Sequence, residues 1–277
     1  MTTSAQAPVR NSTAVRGRFD WHELMTTDPE AAKRFYSAVV GWGTQDWAGS
    51  NPPYSMWMAG DAMVGGIMRL PEEAAQMGST PHWLTYIETP DVDETVALAT
   101  KLGAKVYVPP TDIPTVGRFA VLADPQGATF ALFMPGGEPM SPDPEQRGQF
   151  SWHELMTTNQ RDAFEFYEQL FGWKKTSAMD MGEHGVYQMF GLEEATFGGI
   201  YDIQPGMGAP PNWLPYIRVD DADAAGERVK QSGGSLKNGP MEVPGGDRIA
   251  ICADPQGAVF AVHSKGNSSR AEGGSVS

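Results

Sequence analysis

From Phe19 to His22 apolar and polar side chains alternate, the period of a strand, and Glu23, Leu24 and Met25 carry the run on. Two threonines end the run, and Asp28-Pro29 follows, an N-cap with proline at the first helical position. Behind it Ala32, Phe35, Tyr36 and Val39 recur at helical spacing, so the chain opens with a strand and then an amphipathic helix. Apolar segments broken by glycine, at 54–58 and 62–68, read as strands of a meander. The order then recurs. Residues 83–88 are strand-like, Asp91 caps a helix striped by Val92, Val96, Ala99 and Leu102, and Gly103 stands where a left-handed C-cap is required. A hairpin of 119–123 against 129–134 closes the set, its loop Asp-Pro-Gln-Gly placing Gly127 where positive φ is needed.

The whole pattern is written twice. Trp-His-Glu-Leu-Met-Thr-Thr stands at 21–27 and at 152–158, and Asp-Pro-Gln-Gly-Ala at 124–128 and 254–258. Between them Phe35-Tyr36 answers Phe166-Tyr167, Gly41-Trp42 answers Gly172-Trp173, Gly65-Gly66 answers Gly198-Gly199, and Trp83-Leu84 answers Trp213-Leu214. The offset drifts from 131 to 133 and back to 130, which places insertions and deletions in loops. An α+β fold of four strand-helix-strand-strand-strand modules is expected, two per domain. The expected boundaries are a disordered tail at 1–17, a domain at 18–136, a linker at 137–148, a second domain at 149–265 and a disordered tail at 266–277.

Composition narrows the function classes. A formal charge of −14 repels phosphate, and no cluster of basic residues offsets it, so nucleic acid and anionic membranes are poor partners. The one cysteine, Cys252, allows neither an intrachain disulfide nor a thiolate metal cage, which fits a cytoplasmic location. No apolar run has membrane-spanning length, and the first 18 residues lack the apolar core of a signal peptide.

The repeated modules, Phe-Tyr on the first helix, Gly-Trp after it and the Asp-Pro-x-Gly hairpin resemble the vicinal oxygen chelate superfamily of glyoxalases, extradiol dioxygenases, and bleomycin and fosfomycin resistance proteins. The likeness spans roughly residues 17–265. The Trp-x-Glu-Leu opening is similar to that of tandem members described as glyoxalase-like antigens or hydroxylases. The resemblance implies that each pair of modules curls into a cupped half-barrel holding a small-molecule ligand, and in many members a divalent metal. The slots where the family carries its ligands hold Trp21, Leu84 and Ala131 in the first copy and Trp152, Leu214 and Ala261 in the second. Indole, isobutyl and methyl groups offer no lone pair, so no metal and no other cofactor is expected.

Strand alternation from those slots gives the cup faces. The first strands present Phe19, Trp21, Glu23 and Met25, mirrored by Phe150, Trp152, Glu154 and Met156. The strands before the second helices present His82, Leu84, Tyr86 and Glu88 against Asn212, Leu214, Tyr216 and Arg218, and the last strands bring Phe133 against His263. The candidate acid/base residues are Glu23, Glu154, His82 and Tyr86. Two roles fit the glutamates: desolvated carboxylates exchanging protons near neutral pH, or buried acceptors that fix the strand. His82, after Pro81, equally suits a loop hydrogen bond at a strand entrance. His22 and His153 fall on the helix side and are read as structural.

Fifteen methionines and eight tryptophans suit a planar apolar ligand accommodated by repacking, although most such residues fill cores. The expected ligand-binding set is Trp21, Met25, Trp42, Trp57, Trp152, Met156, Trp173, Asn212, Tyr216 and Arg218. Small-molecule recognition without metal leads. Proton-transfer chemistry by Glu23 with His82 or Tyr86, as a lyase, isomerase or hydroxylase, is the alternative. Two copies in one chain can pair as a pseudo-dimer, making a monomer the default.

Overall fold

Asp28 caps the first helix as its position demands: its carboxylate accepts the Ala31 amide at 3.0 Å, with Pro29 as the first helical residue. The computed structural model describes residues 15–137 and 143–266. Its first half runs β1 (Phe19–Thr26), α1 (Pro29–Val40), β2 (Gly43–Asp46), β3 (Tyr54–Ala59), β4 (Ala62–Arg69), a short α2 (Glu72–Gln76), β5 (His82–Glu88), α3 (Val92–Lys101), β6 (Lys105–Ile113), β7 (Gly117–Ala123) and β8 (Thr129–Pro135). The second half repeats this as β9 (Phe150–Thr157), α4 (Gln160–Phe171), β10 (Lys174–Asp180), β11 (Val186–Leu192), β12 (Ala195–Asp202), β13 (Asn212–Arg218), α5 (Ala222–Gln231), β14 (Ser235–Glu242), β15 (Arg248–Ala253) and β16 (Val259–Ser264). Each half folds into one eight-stranded mixed sheet, ordered β2-β3-β4-β1-β5-β8-β7-β6 and β10-β11-β12-β9-β13-β16-β15-β14. The modules meet where β1 runs antiparallel to β5, while β4 and β8 join them in parallel.

The helix-bearing faces pack on each other, α1 against α5 and α3 against α4. Two shared cores result. One joins Leu24, Tyr36 and Trp42 of the first half to Val229, Cys252 and Phe260 of the second, and the other joins Phe19, Phe130 and Leu132 to Tyr167, Trp173 and Trp213. The opposite faces carry smaller apolar clusters around Leu84, Tyr86 and Ala131, and around Leu214, Tyr216 and Ala261. These are the two cups, which point away from the shared cores.

The repeated sequence landmarks turn out to be interdomain joints. The Tyr36 hydroxyl donates to Asp254 at 3.3 Å and that of Tyr167 to Asp124 at 3.1 Å, so each Phe-Tyr motif bonds the hairpin loop of the other domain. The indoles of Trp83 and Trp213 donate to those hydroxyls at 2.9 and 3.0 Å. Trp42 donates to the Gly148 carbonyl at 2.8 Å, and Trp173 to that of Gly17 at 2.7 Å, again across the domains. Every one of these polar atoms is buried, so leaving a partner out would cost its full desolvation. At the centre His22 Nε2 meets His153 Nε2 at 2.8 Å. His153 Nδ1 lies 3.2 Å from the Phe197 carbonyl and so carries the proton; its Nε2 is the acceptor and His22 Nε2 the donor. Burial lowers both imidazoles, His153 to about 3, and keeps them neutral, in the structural role read from the sequence.

Three expectations need correction. Trp42, Trp57 and Trp173, assigned to the ligand, are at most 1% exposed and lie in the shared cores: each Gly-Trp directly follows a helix that packs on the other domain, and Trp57 of β3 packs against Trp42 with centroids 5.3 Å apart. Phe19 and Phe150 also leave the cups. The register shifts between Phe19 and Trp21, and again opposite Tyr216 and Ile217, which turns each phenylalanine to the other face, stacked on His153 and His22 at 3.7 and 3.6 Å. Residues 15–17 are held rather than loose: the Gly17 amide donates to the Glu88 carbonyl at 2.8 Å. Otherwise the expected tails, with 138–142 of the expected linker, lie outside the described residues, apart from Gly266. Among the described residues no helix is long and apolar enough to cross a membrane.

Candidate functional site

Backbone register brings Trp21 opposite Tyr86, Glu23 opposite Leu84 and Met25 opposite His82, all on the cup face of the first sheet. Glu23 forms the floor. It is 5% exposed, and its Oε2 accepts the Tyr86 hydroxyl at 2.6 Å. Burial outweighs that hydrogen bond and pushes the carboxyl up to about 7, so at neutral pH it exchanges between its two forms. Tyr54 completes the floor, its hydroxyl accepting the Trp21 indole N–H at 3.0 Å. Tyr86 is raised well above the usual phenol range by burial and by Glu23, so it remains a donor. Met25, Val108, Phe119 and Phe133 form an apolar wall around the pair.

The second cup repeats the floor with more donors. Glu154 is 8% exposed, and its Oε2 accepts Tyr187 at 3.0 Å and Tyr216 at 3.1 Å. Tyr201 stacks on Tyr187 beside the same carboxylate, and burial with that charge raises its phenol. Trp152 donates to the Tyr187 hydroxyl at 2.8 Å, as Trp21 does to Tyr54. Burial again raises the carboxyl, against the lowering pull of the three phenols.

Of the phenols, sequence reasoning named Tyr86 and Tyr216 but missed Tyr54, Tyr187 and Tyr201. The repeated glycine pair was the available signal. Gly66 lies opposite Glu23 and Gly199 opposite Glu154, and a Cβ on either would overlap the ring or hydroxyl of Tyr54 or Tyr187. Those glycines exist to let a phenol cross the strand beside the carboxylate. Gly66→Ala is accordingly expected to displace Tyr54 and destabilise the fold by about 1–3 kcal/mol. A thermal melt unchanged from wild type would contradict that.

At the rim the copies differ in charge. In the first, Arg18 pairs with Glu88 at 3.0 Å, and burial pushes nearby Asp20 up to about 6. In the second, Arg218 is 4% exposed and pairs with Glu145 at 2.8 Å, while His263 bridges Ser151 and Asp247, each at 2.9 Å. Arg218 is therefore committed to a protein carboxylate rather than presented freely to a ligand. His82 bonds the Thr80 carbonyl at 2.7 Å, the loop contact that its strand-entrance position suggested, and burial lowers it. Asn212 stands opposite Met156, half-buried on the cup face. A separate cleft of about 540 Å³ opens between the domains, lined by Phe19, His22, Met63, Phe150, His153 and Phe197.

The residues in the family's metal slots do not fit a metal. Trp21, Leu84 and Ala131 stand on the cup face as aligned, without a donor atom for a cation, and Glu23 beside them is tied to Tyr86. Among the described residues no three His, Cys, Asp or Glu side chains converge as a metal would require.

Comparison with known proteins agrees with the architecture. The model of the family described as "Glyoxalase/Bleomycin resistance protein/Dioxygenase superfamily" matches residues 18–132 and 149–262. "Putative glyoxylase CFP32" of Mycobacterium tuberculosis is 34% identical over 249 residues, 89% of this chain and 94% of that protein. The "Anthracycline biosynthesis protein DnrV" of Streptomyces peucetius is 28% identical over 257 residues, covering 87% of this chain and 91% of its own. Among solved structures, the Mn(II)-bound glyoxalase of Novosphingobium aromaticivorans superposes with a TM-score of 0.62 at 19% identity, over 92% of this chain and 84% of that one. Homoprotocatechuate 2,3-dioxygenase of Brevibacterium fuscum gives 0.65 at 12% identity, over 92% and 82%. These two share the fold.

Proposed function

Because this chain belongs to the glyoxalase/bleomycin resistance protein/dioxygenase superfamily, we propose that it recognises a small apolar or aromatic metabolite in a cup, without a metal or other cofactor. One observation carries the reading. Where the family's ligand atoms would stand there are Trp21, Leu84 and Ala131, and the polar groups among them are the buried Glu23–Tyr86 pair at 2.6 Å and the Tyr54 hydroxyl that accepts Trp21. Apolar walls bind through area removed from water, and one fixed carboxyl orients the ligand through its donor. The likeness to a protein named for anthracycline biosynthesis supports a planar polycyclic aromatic as the ligand class.

The test is titration of the intact chain with 1,2-dihydroxyanthraquinone, followed by quenching of the half-buried Trp21 and Trp152. Saturable binding, unchanged by excess EDTA, is expected. Absence of saturable quenching, or binding abolished by the chelator, overturns the reading.

The alternative, proton transfer at Glu23, draws on its contact with Tyr86 at 2.6 Å inside the apolar cup, where burial pushes the carboxyl up to about 7, matched to acid/base work at neutral pH. The ionised carboxylate would remove a proton from an acidic C–H of the substrate while Tyr86 keeps donating to it. Solvent-deuterium exchange into the methylene of dibenzoylmethane should then rise through pH 7 with wild type and vanish with Glu23→Gln. Equal exchange by both proteins excludes this chemistry.

A further inference from the structure

Resting on that reading, we propose that the two cups have different tasks. The first binds a planar aromatic through a hydroxyl that donates to Glu23, while in the second tyrosines consume the equivalent carboxylate, and the deciding position is Met68 in one copy and Tyr201 in the other. Register makes those residues equivalent: Met68 stands opposite Met25, and Tyr201 opposite Met156. Accessibility does not separate the carboxylates, at 5% and 8% exposed. Their donors do. Glu23 accepts one phenol, on Oε2, among the described residues, whereas Glu154 accepts two, Tyr187 and Tyr216, and has the ring of Tyr201 stacked on Tyr187 beside it. An ionised carboxyl offers about four acceptor directions, and two bonded phenols with a third ring alongside leave less room for a ligand's donor.

The mouths differ in the same sense. Tyr187 and Tyr201 stack with centroids 5.8 Å apart and planes at 26°, two rigid rings beside Glu154. In the first cup Tyr54 instead faces the flexible thioether of Met68, which repacks around an incoming ring. The walls follow. Phe119 and Phe133 line the first cup, whereas Ile249 stands in the second and His263 there is engaged by Ser151 and Asp247. Aromatic edges and a carboxylate with one bonded phenol in place of two together select a hydroxylated planar ring.

Calorimetric titration of the full chain with 1,2-dihydroxyanthraquinone tests this by stoichiometry. One equivalent is expected for wild type and for Glu154→Gln, with at least tenfold weaker binding for Glu23→Gln, for Met68→Tyr, and for 1,2-dimethoxyanthraquinone, which has no donor. Tyr201→Met is expected to add a second equivalent. Circular dichroism verifies folding of each variant, and Tyr201→Met decides if Met68→Tyr does not fold. Two equivalents on wild type, or equal weakening by Glu154→Gln and Glu23→Gln, overturn the division of tasks and leave small-molecule recognition standing. No binding to wild type removes recognition itself, and the division of tasks with it.

Discussion

Glu23→Gln is expected to be more stable than wild type by a margin that grows with pH. Burial penalises the charged form of the Glu23 carboxyl and pushes it up to about 7 in the folded protein, against 4.5 for an ordinary glutamate. Between those values the folded chain holds a proton that the unfolded chain has released, so this site contributes stability below pH 4.5 that is lost as pH rises through 7. At 1.36 kcal/mol per pKa unit the loss is on the order of 3 kcal/mol. Glutamine keeps a carbonyl to accept Tyr86 and does not ionise, so the variant escapes the loss. Urea denaturation at pH 4.5, 6 and 8 should give a variant-minus-wild-type difference that widens by about that amount. A difference constant across this range would mean that Glu23 is not buried as a neutral acid. Asp20, Glu154, Asp124 and Asp254 are also raised by burial and slope the same way, which is why the difference is the quantity to measure.

Trp173→Ala is expected to cost about 3–5 kcal/mol, the usual range for deleting a fully buried large aromatic. Trp173 is 0% exposed, stacks on Phe190 at 4.3 Å, and bonds the Gly17 carbonyl across the domains at 2.7 Å. Its removal opens a cavity and orphans that carbonyl, so both domains lose a shared wall. Trp21→Ala is the comparison. That indole is half-buried in the first cup, and its loss should cost about 1–2 kcal/mol while weakening ligand binding. Chemical denaturation of both variants settles which tryptophans hold the molecule together; similar small losses would mean that the interdomain core is not the main source of stability.

Those two residues show how far the chain could be read without coordinates. Trp21 was placed on the cup face because strand alternation is local, and the register of β1 against β5 kept it there. Trp173 was misplaced because nothing local distinguishes a tryptophan packed under a neighbouring domain from one lining a cup. Phe19 fails for a related reason. A one-residue bulge inverts a strand's faces, and the alternation that carries Trp21 and Glu23 inward predicts nothing about where the register slips.

The linear pattern by itself determined the four modules, the caps at Asp28 and Asp91 and the two inward glutamates. All of these depend on residue spacing within one strand, helix or turn, where backbone geometry dictates which side chains share a face. Only the tertiary structure decided that Phe-Tyr and Asp-Pro-Gln-Gly meet across the domains, that the two histidines hydrogen-bond each other, and that Glu154 accepts two phenols where Glu23 accepts one. Those facts join residues tens to hundreds of positions apart, and the distances that decide them arise only when the packed sheets and helices bring the partners within hydrogen-bond range.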